Sequence, residues 1–153
     1  MVRAGTTTGT VLETRFLTDE TFVLRFERNG ESFTPGQCLN VGPEGDINTR
    51  EYSINSGADD PWYEILVKRI EEGYVSPLLA AAEKGKKVSI DGPFGFFTIQ
   101  DRMKVHPLYF VATGTGVSPF CWSSSRPPSR PSRPPWRSSR PRRKRWPWRS
   151  VRS

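Results

Sequence analysis

The sequence predicts an all-β domain carrying one short helix. Two observations support this. Apolar and polar residues alternate with period two through a series of short runs, and clusters of Gly, Pro, Asn and Asp punctuate those runs. A third narrows it: only residues 73–85 combine a helix start, an Ala/Leu body and a Gly stop.

Residues 7–17 and 21–28 read as the first two strands, turning at Thr18-Asp19-Glu20, with Val, Phe, Thr and Leu dominating. In the second, Phe22, Leu24 and Phe26 alternate with Val23, Arg25 and Glu27, which predicts one apolar face. Asn29-Gly30 is a turn signal, and Pro35-Gly36 turns the chain into a strand over 37–41 that holds Cys38 as a small packed residue. Residues 42–48 form a polar loop.

Arg50-Glu51-Tyr52-Ser53 opens the next strand, over 51–56. Successive strand side chains point to opposite faces, so Arg50 and Tyr52 share a face and Ser53 takes the other. A guanidinium grips phosphate through two parallel hydrogen bonds, and a tyrosine ring lies against a flat heterocycle. The pair therefore suits a ligand with a phosphate at one end and a ring at the other, as in a flavin nucleotide. An exposed Arg beside a packed Tyr on an ordinary strand reads the same way locally.

Residues 63–70 form a further strand, with Tyr63, Ile65 and Val67 on one side and Glu64, Leu66 and Lys68 on the other. In Gly73-Tyr74-Val75-Ser76-Pro77, Ser76 is the expected N-cap, Pro77 suits the first helical position, and Lys84-Gly85 marks the stop. Gly73 allows close backbone approach. Residues 87–91 form a further strand, Asp91-Gly92-Pro93-Phe94-Gly95 a turn, and 96–99 a short apolar strand. Tyr109-Phe110-Val111-Ala112 reads as a buried parallel strand, and Gly114-Thr115-Gly116 follows it as a Gly-rich turn into a helix begun by Val117-Ser118-Pro119-Phe120.

Four of these stretches, in order and spacing, resemble the ferredoxin–NADP(+) reductase family: Arg50-x-Tyr52-Ser53, Gly73-x-x-Ser76, Asp91-Gly92-Pro93-Phe94-Gly95 and Gly114-Thr115-Gly116-Val117-Ser118-Pro119. The resemblance covers residues 7–120. It implies a six-stranded antiparallel Greek-key barrel with one capping helix over 1–100, binding FAD in preference to FMN. It also implies the first strand of a Rossmann-like NADP-binding domain over 101–120. By that resemblance Arg50 binds the flavin phosphate, Tyr52 packs near the isoalloxazine or ribityl, and Ser53 sits at the flavin's reactive edge. Gly73, Val75 and Ser76 hold the pyrophosphate, and Lys68 gives electrostatic support. Thr115 lies at the nicotinamide entry, and Gly114 and Gly116 meet the NADP(H) pyrophosphate in an incomplete site. The implied catalytic residues are Ser53 and Thr115. The implied reaction is electron transfer between NADP(H) and ferredoxin or flavodoxin. Flavodoxin-coupled reductases, oxygenase reductase subunits and dihydroorotate dehydrogenase electron-transfer subunits share these motifs. The absence of a cysteine cluster for iron and sulfur argues against versions fused to a ferredoxin.

The resemblance stops at residue 121. Residues 121–153 hold ten Arg, nine Ser, seven Pro and four of the five Trp, with no Gly, Ala, Leu, Ile, Asp or Glu. That composition predicts disorder, and its abrupt start inside a motif suits an out-of-frame reading of a GC-rich gene. The tail also dominates the charge. It carries 11 of the 23 Lys+Arg, which leaves residues 1–120 with 12 Lys+Arg, all 16 Asp+Glu and a net charge of −4. Arg142-Arg143-Lys144-Arg145 flanked by Trp136, Trp146 and Trp148 supplies the alternative function class, a non-catalytic barrel tethered to a polyanion-binding tail. A fragment with no cellular role is the third reading. No specific nucleic-acid site is expected.

Cys38 and Cys121 have no metal-ligand spacing, and no metal site is expected. His106 precedes Pro107 and reads as a surface residue. Without an apolar signal segment or a run of about 20 apolar residues, the expectation is a cytoplasmic protein that does not enter the membrane.

Overall fold

The computed structural model describes residues 5–103, 105 and 107–120. The expectations for His106, Cys121 and the tail over 121–153 lie outside these residues.

Six strands form one antiparallel sheet: β1 (Thr7–Phe16), β2 (Thr21–Glu27), β3 (Cys38–Pro43), β4 (Arg50–Ser53), β5 (Trp62–Lys68) and β6 (Lys87–Phe94). Their order is β4-β3-β6-β1-β2-β5. The sheet curls until its two ends meet. Just past β4, Ile54 bridges Ile65 of β5, and the Asn55 N–H donates to the Glu64 carbonyl at 2.7 Å. Meeting in this way nearly closes the barrel and covers part of the edges that a six-stranded sheet would otherwise expose.

The period-two pattern explains why the sheet curls. Phe22, Leu24 and Phe26 of β2 lie opposite Val67, Ile65 and Tyr63 of β5, and all six are buried. Leu39 and Val41 of β3 and Val88 and Ile90 of β6 fill the same interior. Each large side chain removed from water contributes roughly 1.5–3 kcal/mol, so the faces identified from the sequence drive the closure. The Phe26 and Phe33 rings flank Tyr63 with centroids 5.9 and 5.7 Å away.

β1 serves both halves of the barrel. Residues 7–10 pair with β6, and the chain then shifts register between Val11 and Glu13 and pairs with β2 through Phe16. Such a shift bends a strand and lets it turn a barrel corner. The Pro35-Gly36 turn forms as expected. Gln37 N–H donates to Thr34 O at 3.1 Å, and Gly36 takes φ +96°, a conformation that disfavours side chains.

Helix α1 (Val75–Ala80) differs from its expected form at both ends. Tyr74 occupies the N-cap position and makes no side-chain cap bond. Ser76 is instead inside the first turn, because its hydroxyl accepts the Ile70 N–H at 3.0 Å and so serves the preceding turn. The helix stops at Ala80, and Gly85, at φ +91°, lies in the turn before β6. Val75 and Leu79 are buried in the barrel core, which anchors the helix as a cap. The exposed Tyr74 hydroxyl donates to Asp46 Oδ2 at 2.5 Å, strapping the helix start to the loop between β3 and β4.

Two expected strands do not form. Residues 96–99 and 108–112 have no ladder partner among the described residues. A parallel strand needs a neighbour to satisfy its backbone, and none is present, so Tyr109 and Val111 stand about nine-tenths exposed (91% and 90%). The turn expected to open an α-helix is instead a 3-10 helix, Gly114–Phe120, with Pro119 inside it.

Two outcomes follow. Ile65→Ala empties a fully buried site at the closure and should cost about 2–5 kcal/mol of unfolding free energy, read from a denaturant midpoint. The hydrogen bond from Tyr74 stabilises the Asp46 carboxylate and holds its pKa below the usual value. Tyr74→Phe should therefore raise the Asp46 pKa in a carboxyl NMR titration. The stabilisation that Asp46 contributes is present above its unfolded pKa and is lost as pH falls through the lower folded one.

Candidate functional site

The β3–β4 ladder sets the face of each site residue. Arg50 lies opposite Val41 and Tyr52 opposite Leu39, so Arg50 and Tyr52 share a side, while Ser53 opposes Cys38. The Arg50 guanidinium is exposed, donates one hydrogen bond to Thr49 O at 3.0 Å, and forms no ion pair among the described residues. Four of its five N–H donors are not used by that bond, as a phosphate-gripping fork requires. Tyr52 is half-buried against the core. Burial pushes its phenol pKa up, and the neighbouring Arg50 charge pulls it down, which places the ring and the cation within electrostatic reach of each other. The expected Arg/Tyr pair is therefore present on one face.

Behind that face, Cys38 donates through its thiol to Phe94 O at 3.3 Å. Burial, reinforced by Glu51, raises its pKa to about 11, so the sulfur is a protonated packing group at neutral pH.

Gly73 closes a tight turn, its N–H donating to Ile70 O at 2.9 Å. A Cβ there would come within 3.0 Å of that oxygen and 3.2 Å of the Ile70 Cβ, so glycine is favoured at this position. Val75 and Ser76 are buried behind it. The Tyr74–Asp46 strap brings this motif to the loop that leads into Arg50. Lys68, at the end of β5, is engaged by Glu20 at 3.4 Å. That exposed pair is worth little, and it directs the ammonium to the β1–β2 turn.

Gly114 has φ +53°, Gly116 N–H donates to Thr113 O at 3.1 Å, and Thr115 is half-buried. Ser118 ties this segment to β4: its hydroxyl lies 3.3 Å from both Ser53 O and Asn55 Oδ1. Through Ser118 the structure thus ties Ser53 to the 3-10 helix that Gly114-Thr115-Gly116 opens. The Phe120 ring packs beside Phe97 and Phe110, with centroids 5.7 and 4.7 Å away, in an apolar pocket that also includes Met103 and Leu108.

Sequence reasoning passed over Asp46, Asn55, Glu64 and Ser118 as site residues. For Asn55 a signal existed, since period two puts it on the same face as Ser53. The others are linked to the site only by long-range contacts. The donor set, a guanidinium with open N–H groups, a half-buried phenol and a glycine turn, fits a flavin nucleotide. Among the described residues no group of His, Cys, Asp or Glu is placed to hold a metal, and no helix is long and apolar enough to cross a membrane.

The sequence profile of the oxidoreductase FAD-binding domain family matches residues 9–99. The chain is 32% identical over 116 residues to the flavodoxin/ferredoxin–NADP reductase of Escherichia coli, covering 74% of this chain and 47% of that one. It is 41% identical over 103 residues to ferredoxin–NADP reductase B of Sorangium cellulosum, covering 63% and 41%. It is 34% identical over 110 residues to the toluate 1,2-dioxygenase electron transfer component of Pseudomonas putida, covering 69% and 32%. In fold it is similar to a Neisseria gonorrhoeae ferredoxin NADP+ reductase solved with FAD and NADP (TM-score 0.65, 23% identity, 82% of this chain and 52% of that one). The chain thus spans half or less of the length of these curated relatives. Profile, relatives and barrel agree: the chain belongs to the oxidoreductase FAD-binding domain family, the flavin-binding barrel of the ferredoxin–NADP(+) reductase type.

Proposed function

We propose that this chain is the flavin-binding part of a reductase in which FAD mediates electron transfer between NADP(H) and ferredoxin or flavodoxin. The observation that carries this reading is the exposed Arg50 guanidinium beside the half-buried Tyr52 ring on one face of β4. Arg50 would hold the flavin phosphate through paired N–H donors, and Tyr52 would cover the ring system or its ribityl chain. The backbone N–H of Val75, with the Ser76 hydroxyl, would receive the pyrophosphate, while Gly73, whose N–H is held by Ile70 O, would allow its close approach. The Ser76 oxygen already accepts the Ile70 N–H, so its remaining role is to donate. Ser53 would lie at the flavin's reactive edge, with Thr115 at the entry for nicotinamide and Gly114 and Gly116 toward the NADP(H) pyrophosphate. Lys68 is engaged by Glu20 and would add only long-range positive potential. When bound, the flavin supplies the chemistry that links a two-electron hydride donor to a one-electron partner.

Residues 121–153 contain none of the alternating or Gly-rich segments of a dinucleotide-binding half, so they add nothing to the opening of the NADP(H) site at 114–116. The expected behaviour is weak flavin binding with little NADPH oxidation.

Purified chain should show a bound oxidised-flavin absorbance spectrum on adding FAD. Arg50→Ala should weaken that binding about 10–100-fold, the loss expected for a charge-assisted contact of about 1.5–3 kcal/mol. Retention on a polyanion column should be unchanged by Arg50→Ala. A folded chain that binds no FAD would overturn the cofactor assignment. NADPH-dependent dye reduction should stay at background, and a robust rate would show that the nucleotide half is not needed.

A further inference from the structure

A continuous line of polar contacts runs from the outer face of β2 to the Ser53 carbonyl. Arg25 is held on one side by Glu13, with Nη1 3.1 Å from Oε2. On the other side its Nε and Nη2 both donate to Glu64 Oε2, at 3.2 and 2.8 Å, and its guanidinium lies over the Trp62 ring at 4.6 Å. This leaves Glu64 Oε1 to accept from Asn55 Nδ2 at 2.7 Å. The Asn55 carbonyl oxygen Oδ1 then faces Ser118 Oγ at 3.3 Å, and the same hydroxyl reaches Ser53 O at 3.3 Å.

The direction of this line follows from its chemistry. A carboxylate paired with arginine only accepts hydrogen bonds, so Glu64 dictates which end of the Asn55 amide turns toward it. The amide nitrogen must face Glu64, and the oxygen must face Ser118. Ser118 is then obliged to donate, sharing one proton between Asn55 Oδ1 and Ser53 O. The backbone reinforces this arrangement: Asn55 N–H donates to Glu64 O at 2.7 Å, and Glu64 N–H donates to Ser56 Oγ at 3.2 Å. The inner end of the line is shielded, with the Glu64 side chain 14% exposed and Ser118 3% exposed. Charge-assisted contacts are stronger when shielded from water, and an unpaired buried amide is costly, so the line favours one arrangement.

We propose that Asn55 is a positioning residue. Oriented by Glu64 and Arg25, it clamps the Gly114–Phe120 turn onto the Ser53 carbonyl and so sets how closely the nicotinamide-side segment approaches the flavin edge. This rests on the functional reading above, which places that edge at Ser53. The two motifs would then be held in register by a network within the barrel itself.

The test uses the full chain and a double-mutant cycle, Asn55→Ala and Ser118→Ala. Amide hydrogen exchange of Val117, Ser118 and Phe120 should speed up tenfold or more in each single variant, with β2 and β5 protection unchanged. The double variant should be no faster than Ser118→Ala alone, which already cuts the contacts of that hydroxyl to both Asn55 Oδ1 and Ser53 O. Unchanged exchange in either single variant, or multiplying effects in the double, would overturn the clamp. With FAD loaded to saturation, Asn55→Ala should alter the shape of the visible flavin bands, because the turn over the edge is loosened, with affinity changed less than about threefold. Identical bands would overturn the positioning role. Should the parent chain bind no FAD, the functional reading fails, and the exchange arm still decides the clamp.

Discussion

The contact between Ile54 and Ile65 is the closure on which the rest of this structure depends. Without it the sheet would be an open ribbon, with β4 at one margin and β5 at the other. With it, the apolar faces of β2, β3, β5 and β6 enclose one core, and the strand bearing Arg50 and Tyr52 is held at a fixed place on the barrel wall. The placing of the proposed cofactor site is thus a by-product of burial. Leu39 and Val41 face inward opposite Tyr52 and Arg50, and the inward pull on those two residues decides which way the site residues turn.

The elements legible in the sequence are those whose cause is local. Period-two alternation identified β2 and β5 with the correct buried residues, and Pro35-Gly36 identified its own turn, because φ preference and side-chain facing are properties of a few adjacent residues. The Arg50/Tyr52 pair was readable for the same reason. Errors arose where a distant group settled the outcome. Ser76 is not a cap because the Ile70 amide claims its hydroxyl. The 108–112 run is apolar enough for a strand, yet a strand is defined by a partner, and none lies beside it among the described residues. Lys68 is drawn to Glu20 in a turn 48 positions earlier in the chain, a contact that no local pattern announces.

The charge distribution follows the same logic of local against distant causes. Residues 1–120 carry a net charge of −4, and two of their cations are held by carboxylates where a third is not. Arg25 sits between two carboxylates and Lys68 faces Glu20, whereas Arg50 spends one donor on a carbonyl. The open Arg50 guanidinium suits the phosphate proposed for it. The overall charge of +7, dominated by the tail, hides this contrast.

The register shift in β1 carries a consequence for how this domain tolerates change. β1 is the one strand that reads two partners in succession, and the step between Val11 and Glu13 keeps both readings in phase. Removing one residue there would turn the shifted pairing with β2 into a regular ladder and take away the bend by which β1 passes from β6 to β2. Substitutions along β1 test single contacts, but an insertion or deletion at its midpoint tests the agreement between two halves of a molecule. Length variation among descendants of this sequence should therefore gather in the loops and avoid the middle of β1, although β1 lies near the start of the chain, where additions are usually tolerated.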